Sequence, residues 1–333
     1  MKKLCGILAL LLGVTFLASC ANNSSGDAQK ASDGQAVVIA TQGADTDIIA
    51  RTAVSQGMFA RHGIVPDLVG VNGGGPAAAG LASGSITVIA QSPAFAVQSS
   101  QSGTRLRLFC GAKNQLALAV VAKPGSTFDQ LAAGGDWKRK VAAWKGTTIG
   151  VPALGGAIQI WLQQVAQAAG VDKSGLTFVA VGLGQSATSA LQTGRVDLVA
   201  TSPFAQQVMV AQDYPVVFDF STDGVAAIGQ QAQGGYLASE AWLEKNPELA
   251  NAFCDAIGDA VGYLRDPANR TTISAMLSKD FGVSEGAIPQ AVEAVSHYST
   301  DLSCGPIDKA LASAVAGGVL TQAPTCRELV WSP

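Results

Sequence analysis

Apolar positions along the chain follow two alternating rhythms. Short β-branched runs bounded by glycine, proline or polar residues read as strands, and stretches with apolar residues three and four apart read as helices. Val37–Ala40 predicts a first strand, followed by a polar loop and a helix ending at Gly63. Ile64–Val71, a glycine-rich loop with a short helix, and Ile86–Ala90 continue the pattern, and Ser92-Pro93 opens another helix. The order then returns: a strand at Thr147–Val151, a helix ending at Gly170, and strands at Leu176–Val181 and Val196–Ala200 before Ser202-Pro203. Within that second helix Ile158, Trp161, Leu162 and Val165 form one apolar face. Arg105–Gly111 and Leu116–Ala122 add strands to the first unit, which Lys123-Pro124-Gly125 ends. Val216–Phe220 is the last strand of the second unit, and Gln230–Leu237 predicts a strand returning to the first. Leu249, Phe253, Ile257, Val261 and Leu264 then mark one long amphipathic helix. Strands alternating with helices predict an α/β protein whose mostly parallel sheets are covered on both faces.

The two units also match residue by residue at an offset of 110. Leu81-Ala82-Ser83-Gly84 falls on Leu191-Gln192-Thr193-Gly194, Ile86–Ala90 on Val196–Ala200, and Ser92-Pro93 on Ser202-Pro203. The expected architecture is a two-lobed clamshell. Lobe 1 comprises 36–124 with 228–333, including the C-terminal helices, and lobe 2 comprises 128–220, with hinges near 123–127 and 221–229.

The first residues change the picture. Lys2 and Lys3 precede an apolar core from Leu4 to Leu17, and Leu17-Ala18-Ser19-Cys20 follows. This reads as a secretory signal peptide over 1–19. Its ending resembles the lipobox of bacterial lipoproteins, which implies diacylglyceryl modification of Cys20 and an anchored protein in the cell envelope, with 20–35 as a flexible tether. Loss of Lys2 and Lys3 takes the formal charge from −3 to −5. Cys110, Cys254, Cys304 and Cys326 then remain, an even number in an oxidising compartment. Three pairings are open to them; Cys304–Cys326 is the most local.

Composition removes several function classes. Only 14% of residues are charged, and 21 Lys+Arg against 24 Asp+Glu leave no basic excess for nucleic acid. Two isolated histidines argue against a His-rich metal site and against a serine hydrolase, and no G-x-S-x-G is present. Gly182-Leu183-Gly184-Gln185-Ser186-Ala187 matches a dinucleotide-binding fingerprint, but Asp197 opens the next strand rather than ending it, and an exported protein meets no NAD or ATP pool. No cofactor and no catalytic residue are expected.

Trp144-Lys145-Gly146-Thr147-Thr148-Ile149-Gly150-Val151-Pro152, followed by Gly155-Gly156 and a helix, resembles the second-lobe opening of solute-binding proteins of the nitrate/sulfonate/taurine (SsuA/THI5-like) family of ABC importers. Gly57-Met58-Phe59 with Gly63-Ile64, Leu191…Gly194-Arg195-Val196-Asp197-Leu198, and Trp242…Asn246-Pro247-Glu248-Leu249 resemble further family motifs in the same order, covering about residues 36–265. The resemblance implies a type II periplasmic-binding-protein fold. It also implies a monomer that captures a small organic solute (a sulfonate, a carboxylate, a nitrate-like or a heterocyclic molecule) and delivers it to a membrane permease with its ATPase. An envelope sensor of the same shape, feeding a receptor, is the alternative.

In open parallel sheets ligands sit beyond the carboxyl ends of the strands, where helix N-termini present free N–H groups. The expected ligand-binding residues are therefore Thr41, Gln42 and Gly43; Gly73, Gly74 and Gly75; Gln91 and Ser92 in the first lobe. In the second they are Pro152, Ala153, Leu154, Gly155 and Gly156; Gly182, Leu183 and Gly184; Thr201 and Ser202. Ser92 and Ser202 each suit a helix N-cap as well as a ligand contact. Phe95, Phe204 and Trp161 could wall an aromatic ligand, although core packing explains each of them better. The loops hold almost no basic residue; Lys113 is the nearest candidate, with a merely solvated side chain as the alternative. Asp47 reads as the N-cap of the first helix, and Asp45 or Asp47 in the cleft would favour an amino- or amide-bearing ligand.

Overall fold

The computed structural model describes residues 34–332 apart from 43–44, 72–73, 133–135, 153, 155–156, 183–184, 203–205, 207–208, 210–212, 221–229 and 296–297. In chain order the first lobe runs β1 (Gln35–Thr41), α1 (Asp47–Ser55), α2 (Met58–Arg61), β2 (Ile64–Gly70), α3 (Gly74–Ser83), β3 (Val88–Gln91), α4 (Pro93–Gln101) and β4 (Leu106–Lys113). The second runs β5 (Ala119–Ala122), α5 (Asp129–Ala132), α6 (Trp137–Ala142), β6 (Thr148–Val151), α7 (Ala157–Ala168), β7 (Thr177–Ala180), α8 (Gln185–Gln192), β8 (Leu198–Thr201) and β9 (Val216–Asp219). The chain then returns through β10 (Gly234–Ser239) to α9 (Glu240–Lys245), α10 (Pro247–Arg265), α11 (Arg270–Phe281), α12 (Ile288–Val295), α13 (Cys304–Ala316) and α14 (Cys326–Leu329).

The strands form two five-stranded sheets of the same plan, β2-β1-β3-β10-β4 and β7-β6-β8-β5-β9. In each, the fourth strand is antiparallel to both neighbours. Those two strands, β10 and β5, are the first that the chain forms after each crossing between sheets. The offset of 110 holds bond by bond. Val71 N–H donates to Thr41 O at 2.8 Å and Val181 N–H to Val151 O at 2.9 Å; Ile86 N–H donates to Gly80 O at 3.0 Å and Val196 N–H to Ala190 O at 3.3 Å. Gly63 and Gly170 adopt φ of 70° and 80°, the left-handed geometry that ends a helix cheaply only at glycine.

One boundary differs from the sequence reading. The sequence pattern places Leu116–Ala122 in the first lobe, yet β5 pairs with β8 and β9, and Leu116 and Leu118 pack in the second-lobe core. The run is apolar throughout, so its pattern does not say which sheet receives it. The first crossing therefore lies at 114–118, and Lys123-Pro124-Gly125 is the turn that follows β5, with Gly125 at φ 73°. The second crossing lies between Asp219 and Gly234; the proposed hinge at 221–229 lies outside the described residues.

Each sheet is covered on both faces. On one face of the first sheet, Leu249, Phe253, Ile257, Val261 and Leu264 of α10 are all buried with Ile48, Ile49 and Phe59. Each such side chain contributes about 1.5–3 kcal/mol of burial free energy. On the other face Leu106, Leu108, Ala96 and Leu237 pack with Ile307 and Leu311 of α13. Disulfides join Cys110 of β4 to Cys254 of α10, and Cys304 to Cys326 at the starts of α13 and α14.

Candidate ligand-binding site

The carboxyl ends of β1 and β3 and the start of α4 are joined by a chain of hydrogen bonds. Gln42 N–H donates to Asp47 Oδ2 at 2.9 Å, and Gln91 Nε2 donates to Gln42 Oε1 at 2.7 Å. Gln91 Oε1 in turn accepts Ser92 N–H at 3.1 Å, and Ser92 Oγ accepts Phe95 N–H at 3.3 Å as the N-cap of α4, with Pro93 at the first helical position. Asp47 is not the N-cap of α1. Thr46 takes that position, and Asp47 is the first helical residue, its carboxylate holding the loop before it.

Lys113, at the end of β4, is buried rather than solvated. Its Nζ lies 2.8 Å from Asp45 Oδ2 and 5.5 Å from the centre of the Tyr298 ring, while Tyr298 Oη donates to Asp45 O at 2.9 Å. Burial, then the Asp45 carboxylate, pushes the Tyr298 hydroxyl well above its ordinary range. Burial and then Asp47 do the same to Tyr236. Both tyrosines stay protonated in this nest. Asp45 therefore occupies the cation that the sequence placed nearest to the ligand.

A cavity of about 220 Å³ lies between the lobes. The first lobe lines it with Gly74, Gln91, Ser92, Phe95 and Gln98, the second with Ile160 and Trp161 of α7, and α13 with Ala310 and Ala314. No described lining residue is charged. Of the expected ligand residues, the structure brings Gly74, Gln91 and Ser92 to this cavity. Gln42 stands behind them, bonded to Gln91. Thr41 is buried with its hydroxyl 3.5 Å from Val69 O, and Gly75 is exposed on α3, so neither lines the cavity.

In the second lobe Pro152 is half-buried, Leu154 is 59% exposed, and Gly182 is exposed at φ 72°. Thr201 is buried at the end of β8, its hydroxyl without a hydrogen-bond partner among the described residues. The carbonyl of half-buried Ser202 accepts Gln206 N–H at 2.8 Å. These five are absent from the described cavity lining. Gly43, Gly73, Ala153, Gly155, Gly156, Leu183 and Gly184 lie outside the described residues, as does Phe204.

Trp161 packs in the second-lobe core and also faces the cavity, and Phe95 borders the first-lobe core in the same double role. Gln98, Ile160, Ala310 and Ala314 were not foreseen. Ile160 lies off the apolar face formed by Ile158, Trp161, Leu162 and Val165, no pattern in the sequence marks a face that includes Gln98, and the alanines carry no chemistry that would single them out. Asp197, the acidic residue of the dinucleotide reading, accepts Thr148 N–H at 2.8 Å and serves the sheet.

The sequence profile described as NMT1/THI5 like matches residues 48–270. No curated protein sequence matches the chain. Among solved structures, the chain is similar to the alkanesulfonate-binding protein SsuA from Xanthomonas axonopodis pv. citri bound to MOPS, at 16% identity and a TM-score of 0.71 over 90% of this chain and 99% of that one. It is similar to the periplasmic aliphatic sulphonate binding protein SsuA from Escherichia coli at 18% identity and a TM-score of 0.71, over 89% and 97%. The periplasmic nitrate-binding protein NrtA from Synechocystis PCC 6803 shares 13% identity at a TM-score of 0.69, over 86% and 83%. These likenesses establish the type II periplasmic-binding-protein fold. With its profile match spanning most of both lobes, the chain belongs to the NMT1/THI5-like family.

Proposed function

We propose that this protein is an extracytoplasmic solute-binding protein of an ABC importer, anchored through a lipid on Cys20, that captures a small organic solute between its lobes and presents it to a permease. The observation that carries this reading is the cavity itself, which both lobes line and whose polar floor, Gln91 and Ser92, is braced by hydrogen bonds. Family membership supports it. Two disulfides suit an oxidising compartment outside the cytoplasm. No helix among the described residues is long and apolar enough to cross a membrane.

The ligand is held by amides, hydroxyls and helix N-termini rather than by a cation, because Lys113 is committed to Asp45. This favours a neutral or singly charged molecule over a multiply charged anion. Capture proceeds by lobe closure: contacts from the second lobe form only when the lobes meet, and the ligand shifts the balance by its differential affinity. The test is a thermal-shift screen of residues 36–333 against sulfonates, carboxylates and heterocycles. A solute that raises the melting temperature in a concentration-dependent way supports the reading. A protein that no small solute stabilises, in a cell whose uptake is unchanged when the gene is deleted, overturns it.

A further inference from the structure

The cavity is closed on one side by α13, a helix beyond the reach of the family profile, which ends at residue 270. Ala310 and Ala314, one helical turn apart, face the cavity and are almost fully covered. The helix is fixed from both sides. Ile307 and Leu311 are buried in the first-lobe core, and the Cys304–Cys326 disulfide holds its start. Toward the second lobe, Gln164 Nε2 of α7 donates to the Ser313 carbonyl. Gly317 has an ordinary φ of −78°, so its backbone does not require glycine; a Cβ there would fall 2.4 Å from Ile160 Cγ2. The missing side chain is what lets α7 rest against the end of α13. Held in this way, the alanine wall cannot recede to admit a longer ligand.

We propose that α13 sets the size of the ligand. Ala310 and Ala314 leave space for one uncharged planar ring bordered by Phe95 and Trp161, with a polar substituent reaching Gln91, Ser92 or Gln98. The volume agrees: the cavity measures about 220 Å³, whereas a cavity of roughly 150 Å³ already holds benzene. One substituted ring fits and a fused pair is crowded. The inference rests on the reading that this cavity takes a solute, and deepens it by naming the wall that selects among solutes.

Calorimetric titration of the full chain with benzamide and 2-naphthamide tests it, using wild type, Ala314→Gly and Ala314→Leu. Wild type should prefer benzamide, Ala314→Gly should narrow or reverse the preference, and Ala314→Leu should weaken benzamide by roughly tenfold or more. Ala310→Leu, one turn away, replaces Ala314→Leu if that variant melts early. Affinities and ranking unchanged in the variants, with wild type binding, overturn the role of α13 and leave the solute-binding reading intact. Wild type binding neither probe overturns the single-ring pocket, while the transport reading is then judged by the wider solute screen.

Discussion

Lys113 Nζ lies 2.8 Å from Asp45 Oδ2, with the two side chains only 1% and 3% exposed. A pair withdrawn this far from water gains little net stability over an apolar pair, but removing one member leaves a buried charge with no compensation. Lys113→Met is therefore expected to destabilise the fold by about 3–5 kcal/mol, and Lys113→Met with Asp45→Leu to recover most of that loss. Denaturant unfolding of wild type and the two variants measures it. A Lys113→Met protein of full stability that no longer binds solute would instead make Lys113 a ligand contact.

Tyr236 and Tyr298 give the fold an alkaline limit. Burial raises both hydroxyls above the ordinary tyrosine value of 10.0. The folded state thus keeps protons that the unfolded chain releases above pH 10.0. Their contribution is complete below that pH and falls as pH rises beyond it. Melting temperature followed from neutral to strongly alkaline pH should drop past this point. Tyr298→Phe should flatten the drop, at a cost of about 1 kcal/mol at neutral pH for the lost bond to Asp45 O. An unchanged alkaline profile in Tyr298→Phe would place the titration elsewhere.

Ser92 caps α4 and lines the cavity, and two substitutions separate those roles. Ser92→Ala loses the cap and should cost about 1 kcal/mol of stability, whereas Ser92→Gly should cost only a few tenths. Both remove the hydroxyl and are expected to weaken solute binding by about 1 kcal/mol. Calorimetry showing full affinity in Ser92→Gly would confine Ser92 to capping.

The Cys110–Cys254 disulfide spans 144 residues and ties the first sheet to α10. Replacing both cysteines with alanine should lower unfolding free energy by about 2–5 kcal/mol. Equal denaturation midpoints for the variant and the oxidised wild type would show that packing of α10 alone carries this contact.

The repeat was legible because it rests on local periodicity. Shifting by 110 carries β3 onto β8, and even side chains keep their jobs: Thr87 Oγ1 accepts Val38 N–H at 3.3 Å, and Asp197 Oδ2 accepts Thr148 N–H at 2.8 Å. Pairing between distant strands was less legible, since the apolar run 116–122 satisfies either sheet and only the partner edge decides. The charge of Lys113 was visible, but its partner stands 68 residues away in sequence. The α13 wall left no trace, because alanine and glycine act there by the room they leave rather than by any group they offer. At the strand ends, main-chain geometry pointed to Gln91, Ser92 and Gly74, and missed the helix that faces them.

The central claim, that a solute is enclosed between two lobes by their closure, is tested most directly by small-angle X-ray scattering of residues 36–333 with and without a solute that raises the melting temperature. The expected result is a smaller radius of gyration at saturation, reversed when the solute is dialysed away. Saturating binding with an unchanged radius of gyration would contradict it.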